Sequence, residues 1–302
     1  MTNRLLVIGE CMIELSAESE TTCSVGFAGD TFNTAWYARQ LTRAESLEVA
    51  YFTAVGDDKM SGRMLEFMHH AGIETHVVTI GGASPGLYMI HLDGGERSFQ
   101  YWRSASAARH LADDLDRLPT VSPGDTVYFS GITIAILPEH RRSAFLKRIS
   151  ELRATGAKAV FDPNLRPHLW PDQESMVSWI TRSAEVSSIV LPSFEDEAVH
   201  FGDESPEATV ERYLDSGASL VVVKNGPGPV YVREAGGDQF TVTPAAIDHV
   251  VDTTAAGDAF NAAFLVGYLE QQRLREAVLA GCTLARHVVG QKGALVSVSY
   301  TD

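Results

Sequence analysis

Asp252-Thr253-Thr254-Ala255-Ala256-Gly257-Asp258 places two carboxylates, two threonines and three small residues just ahead of a helical stretch, Ala259 to about Gln271. A helix N-terminus has unpaired N–H groups and a positive dipole end. Small side chains let a ligand approach that backbone closely. The N–H groups around Ala256, Gly257 and Asp258 are therefore expected to hold a developing anion, while Asp258 takes a proton from a neighbouring alcohol. Asp is also a common helix cap, and taken alone Asp258 fits that structural role equally well.

Three further segments could share one site. Asp162-Pro163-Asn164-Leu165-Arg166 follows the apolar run Ala157–Phe161, at the strand end where open α/β sheets bind ligands. Arg166 there would meet a carboxylate or phosphate, or else form a surface ion pair. Lys224-Asn225-Gly226-Pro227-Gly228 follows Leu220–Val223. Its glycines suit phosphates passing close to the backbone, and they equally suit a plain turn into a strand at Pro229–Arg233. No Walker A spacing occurs in the chain. Gly29-Asp30-Thr31-Phe32-Asn33-Thr34-Ala35 opens a helix to about Leu41. Asp30 and Asn33 are expected to face sugar hydroxyls, although Asp30 also suits an N-cap. The histidines, including His69, His70, His91 and His200, show no metal-ligand grouping and read as surface or core residues. No metal-binding side chains are expected.

The elements that position these residues alternate in kind. Apolar runs at Leu5–Gly9, Val49–Val55, Val77–Ile80, Thr126–Ile132, Ala157–Phe161, Ser188–Pro192 and Leu220–Lys224 read as buried strands. Helix-period stretches lie between them: Met60, Met64, Phe67 and Met68, then Phe145, Ile149 and Leu152. That alternation predicts an α/β fold with a mainly parallel sheet covered on both faces. No linker or repeat interrupts it, so residues 1–302 are expected to form one domain. Two segments, about 11–28 and 86–104, do not fit the βαβ rhythm. The second reads as a hairpin around Gly94-Gly95, with Tyr88 and Ile90 on one face and Phe99, Tyr101 and Arg103 sharing another. Together the two segments predict a small antiparallel flap over one end of the sheet.

The formal net charge is −15, which argues against nucleic acid or an anionic membrane as partner. An anionic ligand must then be met by a few locally placed cations. Three cysteines, Cys11, Cys23 and Cys282, fit small apolar fillers in a reducing, cytoplasmic setting. The opening apolar run is short and broken by Glu10 and Glu14, unlike a signal peptide.

These segments, in this order, resemble the ribokinase-like (PfkB) family of carbohydrate kinases across nearly the whole chain. The family's usual Asp-Thr-Thr-Gly-Ala-Gly-Asp run here carries Ala255 at its first glycine. Within the family, four features are closest to the 2-keto-3-deoxygluconate kinases: Gly29–Ala35, the hairpin ending Tyr101-Trp102-Arg103, Asp162–Arg166, and Leu191-Pro192-Ser193-Phe194-Glu195-Asp196-Glu197. The resemblance implies a ribokinase-like fold with a lid, and transfer of the ATP γ-phosphoryl to the C6 hydroxyl of a sugar acid. It implies Asp258 as base with Ala255, Ala256 and Gly257 beside it. Substrate contacts would come from Gly29, Asp30, Asn33, Tyr88, Tyr101, Arg103 and Arg166. Nucleotide contacts would come from Ser193, Lys224, Gly226, Gly228 and Gly257. The family's Asn-x-x-Glu element, associated with Mg²⁺, falls on Ser193 and Asp196, neither of them the usual residue. The family also allows a monovalent cation near Asp252 and Thr254. Independently, aromatic and apolar residues on both faces of the flap suggest that two copies pair through it. A sugar acid suits the arginines Arg103 and Arg166, because a guanidinium fork matches a carboxylate. A neutral-sugar kinase, or a non-catalytic binding protein on the same fold, remains an alternative.

Overall fold

The apolar runs become the middle strands of a nine-stranded sheet. The structure, a computed structural model, describes residues 2–19, 21–93, 96–247, 249–271 and 273–298. Its strands are β1 (Asn3–Ile8), β2 (Met12–Ala17), β3 (Cys23–Ala28), β4 (Leu47–Gly56), β5 (Glu74–Ile80), β6 (Leu87–Asp93), β7 (Glu96–Trp102), β8 (Thr126–Ser130), β9 (Lys158–Asp162), β10 (Ile189–Val190), β11 (Leu220–Val223), β12 (Val230–Glu234) and β13 (Gln239–Val242). Its α-helices are α1 (Asp30–Leu41), α2 (Lys59–His70), α3 (Gly131–Ile136), α4 (Glu139–Ala154), α5 (Gln173–Glu185), α6 (Phe194–Phe201), α7 (Pro206–Asp215), α8 (Ala256–Leu269) and α9 (Leu274–Val289).

The large sheet runs β13-β12-β11-β10-β9-β8-β1-β4-β5. Neighbours from β11 to β5 are parallel, and β12 and β13 add an antiparallel edge. Successive residues of β1 point to opposite faces. Leu5 and Val7 join Phe32 and Phe264 in one core, while Leu6 and Ile8 join Phe129, Phe145 and Phe161 in the other. Two covered faces explain why the central strands are apolar throughout rather than alternating.

The run expected as a strand from Thr126 to Ile132 changes character halfway. Ser130 accepts from the Thr133 N–H at 3.2 Å, Thr133 Oγ1 accepts from the Ser130 N–H, and this reciprocal capping starts α3. Capping therefore overrides the apolar pattern at this point. The strand expected at Ser188–Pro192 is likewise shorter, ending at Val190.

The two segments outside the βαβ rhythm form a second sheet, β3-β2-β6-β7. Each is an antiparallel hairpin, as expected, and a parallel pairing of β2 with β6 joins them. Tyr88 faces Tyr101 and Ile90 faces Phe99 across β6 and β7, so all four share one side. The opposite side is anchored to the body through Phe27, whose ring lies 5.5 Å from that of Phe67 on α2. Val25 and Trp102 stay exposed on that outer side. The Gly94-Gly95 turn lies outside the described residues. Among the described residues, no helix is long and apolar enough to cross a membrane.

Gly131, at the start of α3, fixes the loop that follows β9. A Cβ there would lie 1.9 Å from the Pro163 carbonyl oxygen, a contact that only backbone movement relieves. Gly131→Ala is expected to destabilise the fold by about 1–3 kcal/mol, as overpacking does, and to displace Asn164 and Arg166. Urea unfolding measures this; an unchanged midpoint would show that the loop accommodates the methyl.

Candidate active site

A cavity of about 470 Å³ opens between the lid and the C-terminal ends of the parallel strands. The lid contributes Met12, Tyr88, Phe99, Tyr101 and Arg103. The start of α1 contributes Gly29, Asp30 and Asn33, and the loop after β9 contributes Asp162, Asn164, Arg166 and His168. Ser193 and Asp196 come from the start of α6, Lys224 from the end of β11, and Thr253–Asp258 from the start of α8. Most segments singled out in the sequence thus converge on one space. Gly226 and Gly228 do not line it. They sit in a turn closed by the Gly228 N–H on the Asn225 carbonyl at 2.8 Å, with Gly226 at φ 52°. The turn accounts for both glycines.

Helix α8 starts three residues earlier than its periodicity indicates, so Asp258 lies within its first turn and is not a cap. Ala255 precedes the helix at φ 60° and ψ 11°, a left-handed conformation that is strained for any residue with a Cβ by about 1–2 kcal/mol. The family's glycine at this position would adopt it freely. The Ala256 N–H is engaged by the Thr253 carbonyl at 3.2 Å. The donors free of a partner among the described residues are therefore those of Gly257 and Asp258. Lys224 points at the same helix start, since a Cβ on Gly257 would lie 3.8 Å from its Nζ.

Asp258 accepts from Asn33 Nδ2 at 2.8 Å, and Asn33 Oδ1 accepts from the Gly29 N–H at 3.2 Å. Both ends of the Asn33 amide are thus occupied within the protein. Asn33 holds Asp258 in place, and it also lines the cavity where a sugar contact is expected. Asp30, expected as sugar ligand or cap, is the first residue of α1. Its Oδ2 accepts from Asn164 Nδ2 at 2.9 Å, and Asn164 adopts the uncommon φ of 36°.

The Asp258 carboxyl faces the cavity and is half-buried. Burial pushes its pKa up to about 8, the Asp30 and Asp162 charges push the same way, and Asn33 and Lys224 oppose them. A positive helix end alone would make Asp258 a weak base, and here desolvation and like charges outweigh the dipole. The sign for stability follows. The folded state holds this proton more tightly than the unfolded chain, where a carboxyl titrates near about 4. The contribution to stability is therefore greatest at low pH and falls as pH rises toward 8.

On the lid side, Arg103 is 10 % exposed and pairs with Glu10, which is 1 % exposed. Glu10 Oε1 and Arg103 Nε have no hydrogen-bond partner, an uncommon condition for buried polar atoms. Tyr88 donates to Glu14, whose charge together with burial pushes the phenol pKa up. Arg166 is exposed and donates to the Leu165 carbonyl at 2.7 Å, leaving most of its fork to the cavity. Burial pushes Asp196 up, with Arg166 opposing. Glu197 turns away from the cavity into the protein, where it accepts from Tyr213 at 2.9 Å and Arg212 at 2.7 Å.

Glu10, Asn164, His168 and Asn261 carry or support the site without having been singled out. Asn164 lay inside a quoted loop, and His168 stands two residues beyond its end. Glu10 and Asn261 gave no local signal, since their partners are remote in sequence. Asp258 is expected to titrate near pH 8, and Asp30→Asn should move its midpoint to lower pH. Carboxyl ¹³C NMR reads this directly, and an unmoved midpoint would remove Asp30 from the account.

Residues 2–300 match the family profile described as pfkB family carbohydrate kinase. The 2-dehydro-3-deoxygluconokinase of Haemophilus influenzae is 36 % identical, covering 97 % of this chain and 95 % of the relative. The protein of the same name from Escherichia coli is 35 % identical, covering 98 % of each. Among solved structures, a PfkB protein from Polaromonas superposes with a TM-score of 0.83 at 26 % identity, covering 96 % of both chains. A Vibrio cholerae fructokinase bound to fructose, ADP and calcium gives 0.85 at 24 % identity, covering 98 % of this chain and 96 % of that one. The fold is ribokinase-like, and with the profile spanning nearly its whole length the chain belongs to the pfkB family of carbohydrate kinases.

Proposed function

We propose that this kinase transfers the γ-phosphoryl group of ATP to the 6-hydroxyl of 2-dehydro-3-deoxygluconate, the sugar acid also called 2-keto-3-deoxygluconate. The observation that carries this reading is the polarity of the cavity. Asp258 and the start of α8 line the same space as Arg103 and Arg166, so it offers a carboxyl to an alcohol and guanidiniums to an anion. A six-carbon acid has the matching groups, an alcohol and a carboxylate. Full-length relatives at 34–36 % identity carry that activity in their names.

The substrate hydroxyl sits against Asp258. As its oxygen bonds to the γ-phosphorus and the bridging P–O bond breaks, Asp258 takes the hydroxyl proton and ADP leaves. Through a loose transition state little proton removal is needed early, so Asp258 first orients the alcohol. The Gly257 and Asp258 N–H groups and Lys224 meet the charge on the moving group. The Asp196 carboxyl, pushed up by burial, is one that a nearby cation would relieve. Asp196 and Ser193 therefore fit the Mg²⁺ that the family implies, and bound Mg²⁺ would neutralise the polyphosphate. The rings of Tyr88, Phe99 and Tyr101 cover the substrate from the lid and exclude water, limiting ATP hydrolysis.

The same reading takes the whole chain as one kinase domain with its lid. It also pairs two copies through the lid, whose outer side exposes Val25 (45 %) and Trp102 (51 %).

A coupled ATP assay across 2-dehydro-3-deoxygluconate, its 4-epimer, 5-dehydro-2-deoxygluconate, fructose and ribose tests the substrate. The expected outcome is highest kcat/KM for a 2-dehydro-3-deoxy acid, and a preferred neutral sugar would refute the assignment. Asp258→Asn is expected to lower turnover about 10²–10⁴-fold with ligand binding largely retained. Its Tm should rise, because a neutral amide replaces a carboxyl crowded by Asp30 and Asp162. Near-normal turnover would remove Asp258 as base.

A further inference from the structure

His168 stands at the meeting point of lid and body. It belongs to a single 3₁₀ turn, Pro167–Leu169, just beyond the loop that supplies Asn164 and Arg166. Its ring stacks on Tyr101 of β7, with centroids 5.9 Å apart and planes at 30°. The Arg103 guanidinium lies 6.0 Å from the centre of the same tyrosine ring. His168 is exposed to the cavity, and among the described residues no hydrogen bond holds either ring nitrogen. A side chain that needed only to cover Tyr101 would gain nothing from two unpartnered polar atoms facing a ligand space.

We propose that His168 is a substrate-binding and specificity-determining residue. In this assignment it donates a ring N–H to the carboxylate end of the sugar acid while its face holds Tyr101, and with it the lid, over that end. The proposal rests on the sugar-acid reading above and names one more residue of the same site. The charges around the ring explain why a neutral donor suits this position. Arg103 on the lid and Arg166 on the body already line the wall, and together with partial enclosure they push the His168 pKa down. A third full cation between two guanidiniums would be repelled whenever the cavity lacked an anion. A neutral imidazole adds a directional donor without that penalty. It also separates an acid from a neutral sugar of similar size, because a hydrogen bond to a charged acceptor is stronger than one to a hydroxyl.

Substitutions at this exposed position separate the two duties. His168→Phe keeps an aromatic face for Tyr101 and removes the donor; His168→Gln keeps a donor and removes the ring. Both are assayed with wild type on 2-dehydro-3-deoxygluconate and MgATP, with Tm recorded for each. His168→Phe is expected to raise KM for the acid about 10- to 100-fold, the range for losing a hydrogen bond to a charged group. Its KM for ATP should stay at the wild-type value and kcat within about twofold of wild type, a ground-state binding loss. His168→Gln is expected to recover most of the KM. An unchanged KM in His168→Phe, a parallel rise in the KM for ATP, or a His168→Gln no better than His168→Phe would each overturn the proposal. Wild-type preference for a neutral sugar would instead overturn the sugar-acid reading itself, and it is read before any variant is compared.

Discussion

The Lys224 ammonium lies 3.4 Å from both oxygens of Asp162 and 3.1 Å from Asn261 Oδ1. Asn261 is fully buried on α8, and its Nδ2 donates to Asp162 at 2.7 Å and to the Tyr128 hydroxyl at 3.1 Å. This knot joins the ends of β8, β9 and β11 to one turn of α8. Where the helix begins, and so where its free N–H groups and Asp258 point, is set by that junction. Three carboxylates, Asp30, Asp162 and Asp258, share the cavity floor, and Lys224 is the cation set among them. Asp162 is held by Lys224 and Asn261, and Asp30 by Asn164. Asp258 is left with one amide and the strongest reason to keep its proton.

That arrangement has a cost in stability and a use in catalysis. A buried carboxyl near other carboxyls is unfavourable when ionised, yet the same crowding makes it a better proton acceptor once an alcohol is bound. Ala255 adds local strain at the same loop. A site that stores strain and charge repulsion at one point needs rigid support, and the knot around Asn261 provides it. The lid is attached differently. The Phe27–Phe67 contact and the packing of Met12, Tyr88 and Ile90 on Ala294 tie it to the body, while Phe99 and Tyr101, each 41 % exposed, reach over the cavity.

Much of this was legible in residue order. Apolar continuity gave the parallel sheet, alternation gave the lid hairpins, and the small-residue run before α8 marked a loop that lines the cavity. What escaped was decided by contacts remote in sequence. Asn33 reads as a hydroxyl ligand from its place at a helix start, and its second task, holding Asp258 from 225 residues away, is not visible there. The raised pKa of Asp258 is hidden in the sequence, where the helix dipole is visible and the approach of Asp30 and Asp162 is not. The start of α3 was hidden in an apolar run because a Ser130–Thr133 capping box carries little hydrophobic signal. Gly226 and Gly228 matched a nucleotide pattern, and a local turn accounts for them.

The charge distribution explains how an acidic chain can take an anionic substrate. With a net charge of −15, the long-range field opposes sugar acid and ATP alike. Attraction must come from short range, where a cavity walled by protein strengthens each contact. The cations at the cavity are accordingly held apart and partly compensated: Arg103 by Glu10, Lys224 by Asp162, with Arg166 left most open. Such compensation keeps the cavity stable without ligand and limits indiscriminate anion binding. Selectivity for an acid then depends less on total positive charge than on where donors point, which is why an uncharged ring nitrogen can matter beside two arginines.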